Sequence, residues 1–164
     1  MNYLLTFRTY GTWLHGDERG SVDSCHNQHE SPLLAASATR EKDAKRIMKF
    51  PALLLDDKQR TNIEQTINEV VTFRHWHLHA ASVQSNHVHL VVSVSDDISP
   101  ERVMNDFKTR ATFRLREAKL IDPERKIWER HGSTKYLFTE KELSAACDYV
   151  LNRQNETKKK EPRA

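Results

Sequence analysis

Hydrophobic and polar positions change period several times along the chain, and each change predicts an element. Residues 3–9 alternate and are rich in β-formers, which reads as a first strand. Residues 39–50 predict a short helix ending before Pro51. From Asp56 the spacing turns helical. Ile63, Ile67, Val70 and Val71 fall at i, i+4, i+7 and i+8, and Asp56 with Gln59 makes a capping box. Residues 77–84 and 87–94 then read as a hairpin around Ser85-Asn86. A two-residue turn there sets Gln84 opposite His87 and Ser82 opposite His89. Ser99-Pro100-Glu101 opens a second long helix, to about residue 119, with Val103, Phe107, Ala111 and Leu115 as its buried stripe. Residues 127–138 supply a last strand, expected at a sheet edge. Thr139-Glu140-Lys141-Glu142 caps a terminal helix to about residue 154, with Leu143, Cys147, Val150 and Leu151 as its stripe.

The order β–(loop, short helix)–α–β–β–α–β–α predicts an α+β fold. Its specific form is a ferredoxin-like antiparallel sheet with helices packed on one face. The 164 residues read as one domain, 1–164, with a polar loop at about 11–38 and a charged tail from about 155. Hydrophobic content of 37% with 30% charged residues suits a soluble protein. No apolar run approaches the ~20 residues that span a bilayer, and the N-terminus does not read as a signal peptide, so a cytoplasmic protein without a membrane partner is expected. Cys25 and Cys147 give neither a disulfide framework nor zinc-ligand spacing. A net charge of +3 leaves any nucleic-acid affinity to local patches.

Candidate chemistry concentrates at Ser85-Asn86-His87-Val88-His89-Leu90-Val91-Val92. On a strand His87 and His89 share a face while Val88 points into the core, so the two imidazoles form half of a metal site. The alternative is a polar strand face without an ion. A second pair, His77 and His79, is expected on the opposite face and reads as structural. Lys108, Arg110, Arg114 and Arg116 lie off the buried stripe of their helix, as a phosphate-facing patch or as a solvated face. Three of the four glycines fall in residues 11–20, so backbone conformation matters there. Trp13 and Arg19 in that segment could grip a nucleotide, although Trp13 reads slightly better as a core plug. Tyr149 points away from the apolar stripe of the terminal helix.

These residues together resemble the HUH endonucleases, where U is a hydrophobic residue, and more narrowly the single-tyrosine HUH transposases, including the REP-associated tyrosine transposases. The resemblance rests on Asn86-His87-Val88-His89-Leu90-Val91-Val92 after a strand, the basic helix, Tyr10-Gly11-Thr12-Trp13-Leu14-His15-Gly16-Asp17, and Tyr149-Val150-Leu151-Asn152-Arg153-Gln154. It implies a metal-dependent nickase and strand transferase acting on single-stranded or hairpin DNA through a 5′-phosphotyrosine. Carried over, Tyr149 is the nucleophile, and His87 and His89 hold a divalent ion, magnesium or manganese. In the family a polar residue one turn after the tyrosine commonly adds a third ligand. Here the fourth residue on is Arg153, which cannot bind a cation. Asn152 and Gln154 are the nearby oxygen donors; Gln154 is preferred, provided the helix loosens at its end. Lys108, Arg110 and Arg114 would hold phosphates, with Trp13 and Arg19 in the recognition loop. Relatives occur as monomers and as homodimers that exchange the tyrosine helix, and both states stay open. The rival readings are a non-catalytic DNA-binding descendant, a phosphoester hydrolase that uses water, and a structural domain.

Overall fold

The computed structural model describes residues 1–12 and 50–153. Four strands, β1 (Asn2–Thr9), β2 (His77–Val83), β3 (His87–Ser93) and β4 (Trp128–Leu137), form one antiparallel sheet in the order β2-β3-β1-β4. The intervening helices are α1 (Asp57–Arg74) and α2 (Pro100–Glu117), followed by α3 (Glu140–Asp148) and a π-helical turn over Tyr149–Arg153. β4 is an edge strand, as expected, but it is not short: its ten residues make it the longest strand of the sheet.

Alternation along the two central strands gives the sheet two different faces. Tyr3, Leu5 and Phe7 of β1, with Val88, Leu90 and Val92 of β3, join the main core. α1 adds Ile63, Ile67, Val70 and Val71, and α2 adds Val103, Phe107, Ala111 and Leu115. Both helices start where the sequence signals them. Asp56 and Gln59 complete a reciprocal capping box, and Ser99 accepts from the Arg102 N–H ahead of Pro100. α2 rests close on the sheet at Gly132. A Cβ added there would run into the Thr6 carbonyl oxygen of β1 as well as the Met104 side chain, and the backbone oxygen cannot move aside, so the position requires glycine.

The other face carries Leu4, Thr6 and Arg8 of β1 and His87, His89 and Val91 of β3, in register Leu4↔Val91, Thr6↔His89, Arg8↔His87. α1 and α2 cover one face as expected; the terminal helix lies on the second. There Ala146 and Val150 close a smaller apolar cluster with Ala80, Val91 and Leu137. The capping box of α3 forms at Thr139 and Glu142, but the α-helix stops at Asp148 and continues as a π turn. The wider turn alters the expected stripe: Val150 is buried, whereas Leu151 is exposed.

A further correction concerns the second histidine pair. β2 pairs Leu78 with Val92 and Ala80 with Val91, so the ladder carries a bulge at His79. The extra residue reverses the alternation, and His79 Nε2 lies 2.6 Å from the Ser93 hydroxyl, on the same face as His87 and His89. Ser93 is four positions beyond His89, a separation of about 13 Å along a strand, so the two pairs remain apart. The short helix over 39–50, the 11–38 loop beyond Thr12 and the charged tail fall outside the described residues.

Candidate active site

His87 and His89 occupy the start of β3, where β1 pairs with both of them and β2 pairs with His89. Their ring centroids lie 4.7 Å apart at 77°. His89 is buried, and its Nδ1 lies 2.7 Å from the Thr6 hydroxyl across the β1–β3 ladder. Burial first, then the neighbouring His87 and Arg8, push its imidazole down to about 3, so it is neutral at pH 7. His87 Nδ1 lies 2.6 Å from Asn86 Oδ1.

The phenol comes from the far end of the chain. α3 crosses this face of the sheet, anchored by Ala146 and Val150, and delivers Tyr149 at its last turn. The Tyr149 ring meets the His89 ring edge-on, with centroids 5.6 Å apart, and is 43% exposed, open to an incoming substrate. Between α3 and the sheet lies a cavity of about 610 Å³ that includes His89 and Tyr149. Arg8, Lys135 and Lys141 bring three cations to its wall. The acid there, Glu142, has its carboxyl held below the ordinary range by the Phe138 and Thr139 N–H groups of the cap. It is therefore committed to the helix start.

A buried neutral histidine, a second imidazole beside it, a half-exposed tyrosine and a cationic wall form one compact site. The family model described as Transposase IS200 like matches residues 47–152. The chain belongs to the IS200-like transposases. Among solved structures it resembles a REP-associated tyrosine transposase bound to a REP hairpin, at 14% identity and a TM-score of 0.55, covering 95% of this chain and 67% of that one. It also resembles a candidate transposase from Deinococcus radiodurans, at 12% identity and a TM-score of 0.53, covering 99% and 92%. Identities this low speak for the fold alone. No curated protein matches the chain. Among the described residues, no helix is long and apolar enough to cross a membrane.

Of the residues singled out in the sequence of this IS200-like chain, His87, His89 and Tyr149 come together. The cations of α2 do not join them, because α2 covers the opposite face of the sheet. Lys108 is buried, and its ammonium donates to the carbonyls of Glu129 at 2.9 Å and His131 at 3.3 Å. Arg114 donates to Glu69 and Glu117, and Arg110 lies 4.0 Å from Glu69 and over the Phe113 ring. Trp13, Arg19 and Gln154 fall outside the described residues. Asn152 donates to the Asp148 carboxylate at 2.8 Å.

The donor set fits a divalent ion in part. An oxygen partner at Nδ1 of each imidazole, Thr6 Oγ1 for His89 and Asn86 Oδ1 for His87, leaves Nε2 as the nitrogen that could face an ion. Among the described residues no cluster of three or more His, Cys, Asp and Glu side chains could hold a metal. Among the described residues, Asn152 is the oxygen donor that follows Tyr149 in the chain. Sequence reasoning missed Thr6, Arg8, Lys135 and Lys141. Thr6 and Arg8 carried a usable signal, since they alternate with the apolar residues of β1. Lys135 and Lys141 meet them only through the packing of β4 and α3.

Proposed function

We propose that this chain is a metal-dependent nickase and strand transferase for single-stranded DNA, with Tyr149 as nucleophile and His87 and His89 as metal ligands. The observation that carries the reading is the contact between the Tyr149 and His89 rings within one chain. A phenol of ordinary pKa near 10 is a weak nucleophile at pH 7 and needs an electrophilic partner close by. An ion held by His87 and His89, magnesium or manganese, would supply Lewis-acid stabilisation of the charge that develops on the scissile phosphate.

Tyr149 Oη forms a bond to phosphorus as the bond to the 3′ oxygen breaks. The phenolic proton passes to solvent and the departing 3′ oxygen takes one up. One phosphodiester replaces another, so the 5′-phosphotyrosine can be attacked by a 3′ hydroxyl to rejoin a strand. Arg8, Lys135 and Lys141 hold the flanking phosphates on the cavity wall. Gln154 is the third ligand in this reading. A hairpin substrate is favoured by the likeness to a transposase bound to a REP hairpin. Phosphate contacts alone do not select a site, so Trp13 and Arg19 are assigned to base recognition.

The test is a denaturing gel of the protein incubated with labelled single-stranded DNA from its own gene's flanks, with and without manganese. An SDS-resistant, metal-dependent adduct is expected, lost in Tyr149→Phe and His87→Ala. An adduct that persists in Tyr149→Phe sinks the assignment of the nucleophile. Arg153 at the position of the usual ligand favours a second reading, a DNA-binding descendant without catalysis. It predicts retarded DNA on a native gel and no adduct in any variant.

A further inference from the structure

His87 and His89 are oriented by different means. His89 is buried and braced by a side chain of the neighbouring strand. His87 is only partly buried and begins its strand, where the ladder on the β2 side ends in a turn. Its Nδ1 partner is the adjacent residue, Asn86, at 2.6 Å. An adjacent side chain can orient a ring only if its own backbone is held, and the backbone on both sides of this turn is held.

The carbonyl oxygen of Asn86 accepts from the Thr9 N–H at 3.0 Å, and the Thr9 and Thr12 hydroxyls lie within hydrogen-bond reach of the same oxygen at 3.2 and 3.3 Å. Thr9 is fully buried, and its hydroxyl also donates to the Leu53 carbonyl at 2.7 Å. On the other side the Ser85 carbonyl accepts from the Leu55 N–H at 2.7 Å. The turn itself is closed by the Gln84 N–H donating to the His87 carbonyl at 2.8 Å. The Thr9–Thr12 segment is pinned in turn, its Gly11 N–H donating to Glu129 Oε1 at 2.6 Å.

We infer that Asn86 is a positioning residue for His87: its side-chain carbonyl, carried on a clamped backbone, accepts the Nδ1 proton and presents Nε2, with its lone pair, as the metal-binding nitrogen. The hydrogen bond at one ring nitrogen decides which nitrogen is left to ligate. Thr9 and Thr12 act one step further out, through Asn86. The inference rests on the reading of His87 as a metal ligand, but its central claim, the tautomer, is measurable without metal.

The experiment is long-range proton–nitrogen NMR of the metal-free protein at alkaline pH, with Asn86→Ala, Asn86→Asp and His87→Gln for assignment. Manganese affinity is measured in parallel by electron paramagnetic resonance. Wild type and Asn86→Asp, which keeps a carbonyl acceptor, should show His87 protonated at Nδ1. Asn86→Ala should lose that preference and bind manganese about 10- to 100-fold more weakly, with His89 signals unmoved. An unfolded variant would shift every histidine, so the unmoved His89 separates positioning from collapse. A His87 that keeps the Nδ1–H tautomer in Asn86→Ala overturns the proposal. Loss of the tautomer in that variant, in a protein that binds no manganese even as wild type, upholds the positioning by Asn86 and overturns the metal reading instead.

Discussion

Lys108 illustrates how a residue with binding chemistry becomes part of the frame. Its helix position, off the apolar stripe, suggests a phosphate contact, yet the ammonium reaches under β4 and lies 5.8 Å from the Phe7 ring centroid. Burial lowers its pKa from 10.5 to about 8, partly offset by Glu129. Between those values the folded chain binds fewer protons than the unfolded one, so this group makes stability rise with pH through that window. The gain is about 3 kcal/mol over the whole window and about 2 kcal/mol from pH 7 to 9.5. Urea unfolding at those two pH values should show wild type gaining that amount relative to Lys108→Met. Equal changes in the two proteins would contradict the assignment. The neutral amine keeps two N–H groups, enough for both carbonyls it serves.

At the scale of elements, the sequence signals its starts more clearly than its ends. Capping residues mark the first turns of α1, α2 and α3, since a short polar side chain there meets otherwise unpaired N–H groups. The end of α3 carries no such mark, and the π turn at Tyr149 leaves Val150 seated against the sheet. Val150→Ala should therefore cost roughly 1–3 kcal/mol of unfolding free energy. Leu151→Ser, on the exposed side, should stay within about 0.5 kcal/mol. A regular α-helix carrying both residues in its buried stripe would make both changes costly. The bulge in β2 has the same origin: alternation gives the faces of a regular strand, and one extra residue reverses every face beyond it.

At the scale of the whole molecule, the sheet separates stability from the candidate site. One face buries the large core under α1 and α2, while the other leaves room between the sheet and α3 for a substrate. Tyr149 lies against the His89 of its own chain. Mixing Tyr149→Phe with His87→Ala should therefore restore no DNA adduct, because neither chain carries both groups. A restored adduct would mean that the tyrosine helix crosses between two copies.

The sequence alone determined the element order of the described residues, the capped helix starts, the edge position of β4 and the shared face of His87 and His89. These follow from short-range rules: side-chain alternation, helical period and the satisfaction of terminal N–H groups. Only the tertiary structure decided which face α3 covers, where the cations of α2 go, and which cations join the histidines. Arg8, Lys135 and Lys141 are brought together by the pairing of β1 with β4 and the return of α3 across the sheet, which no local pattern in the chain records. The bulge at His79 and the clamp on Asn86 belong with them, since each depends on a hydrogen-bond partner far away in sequence.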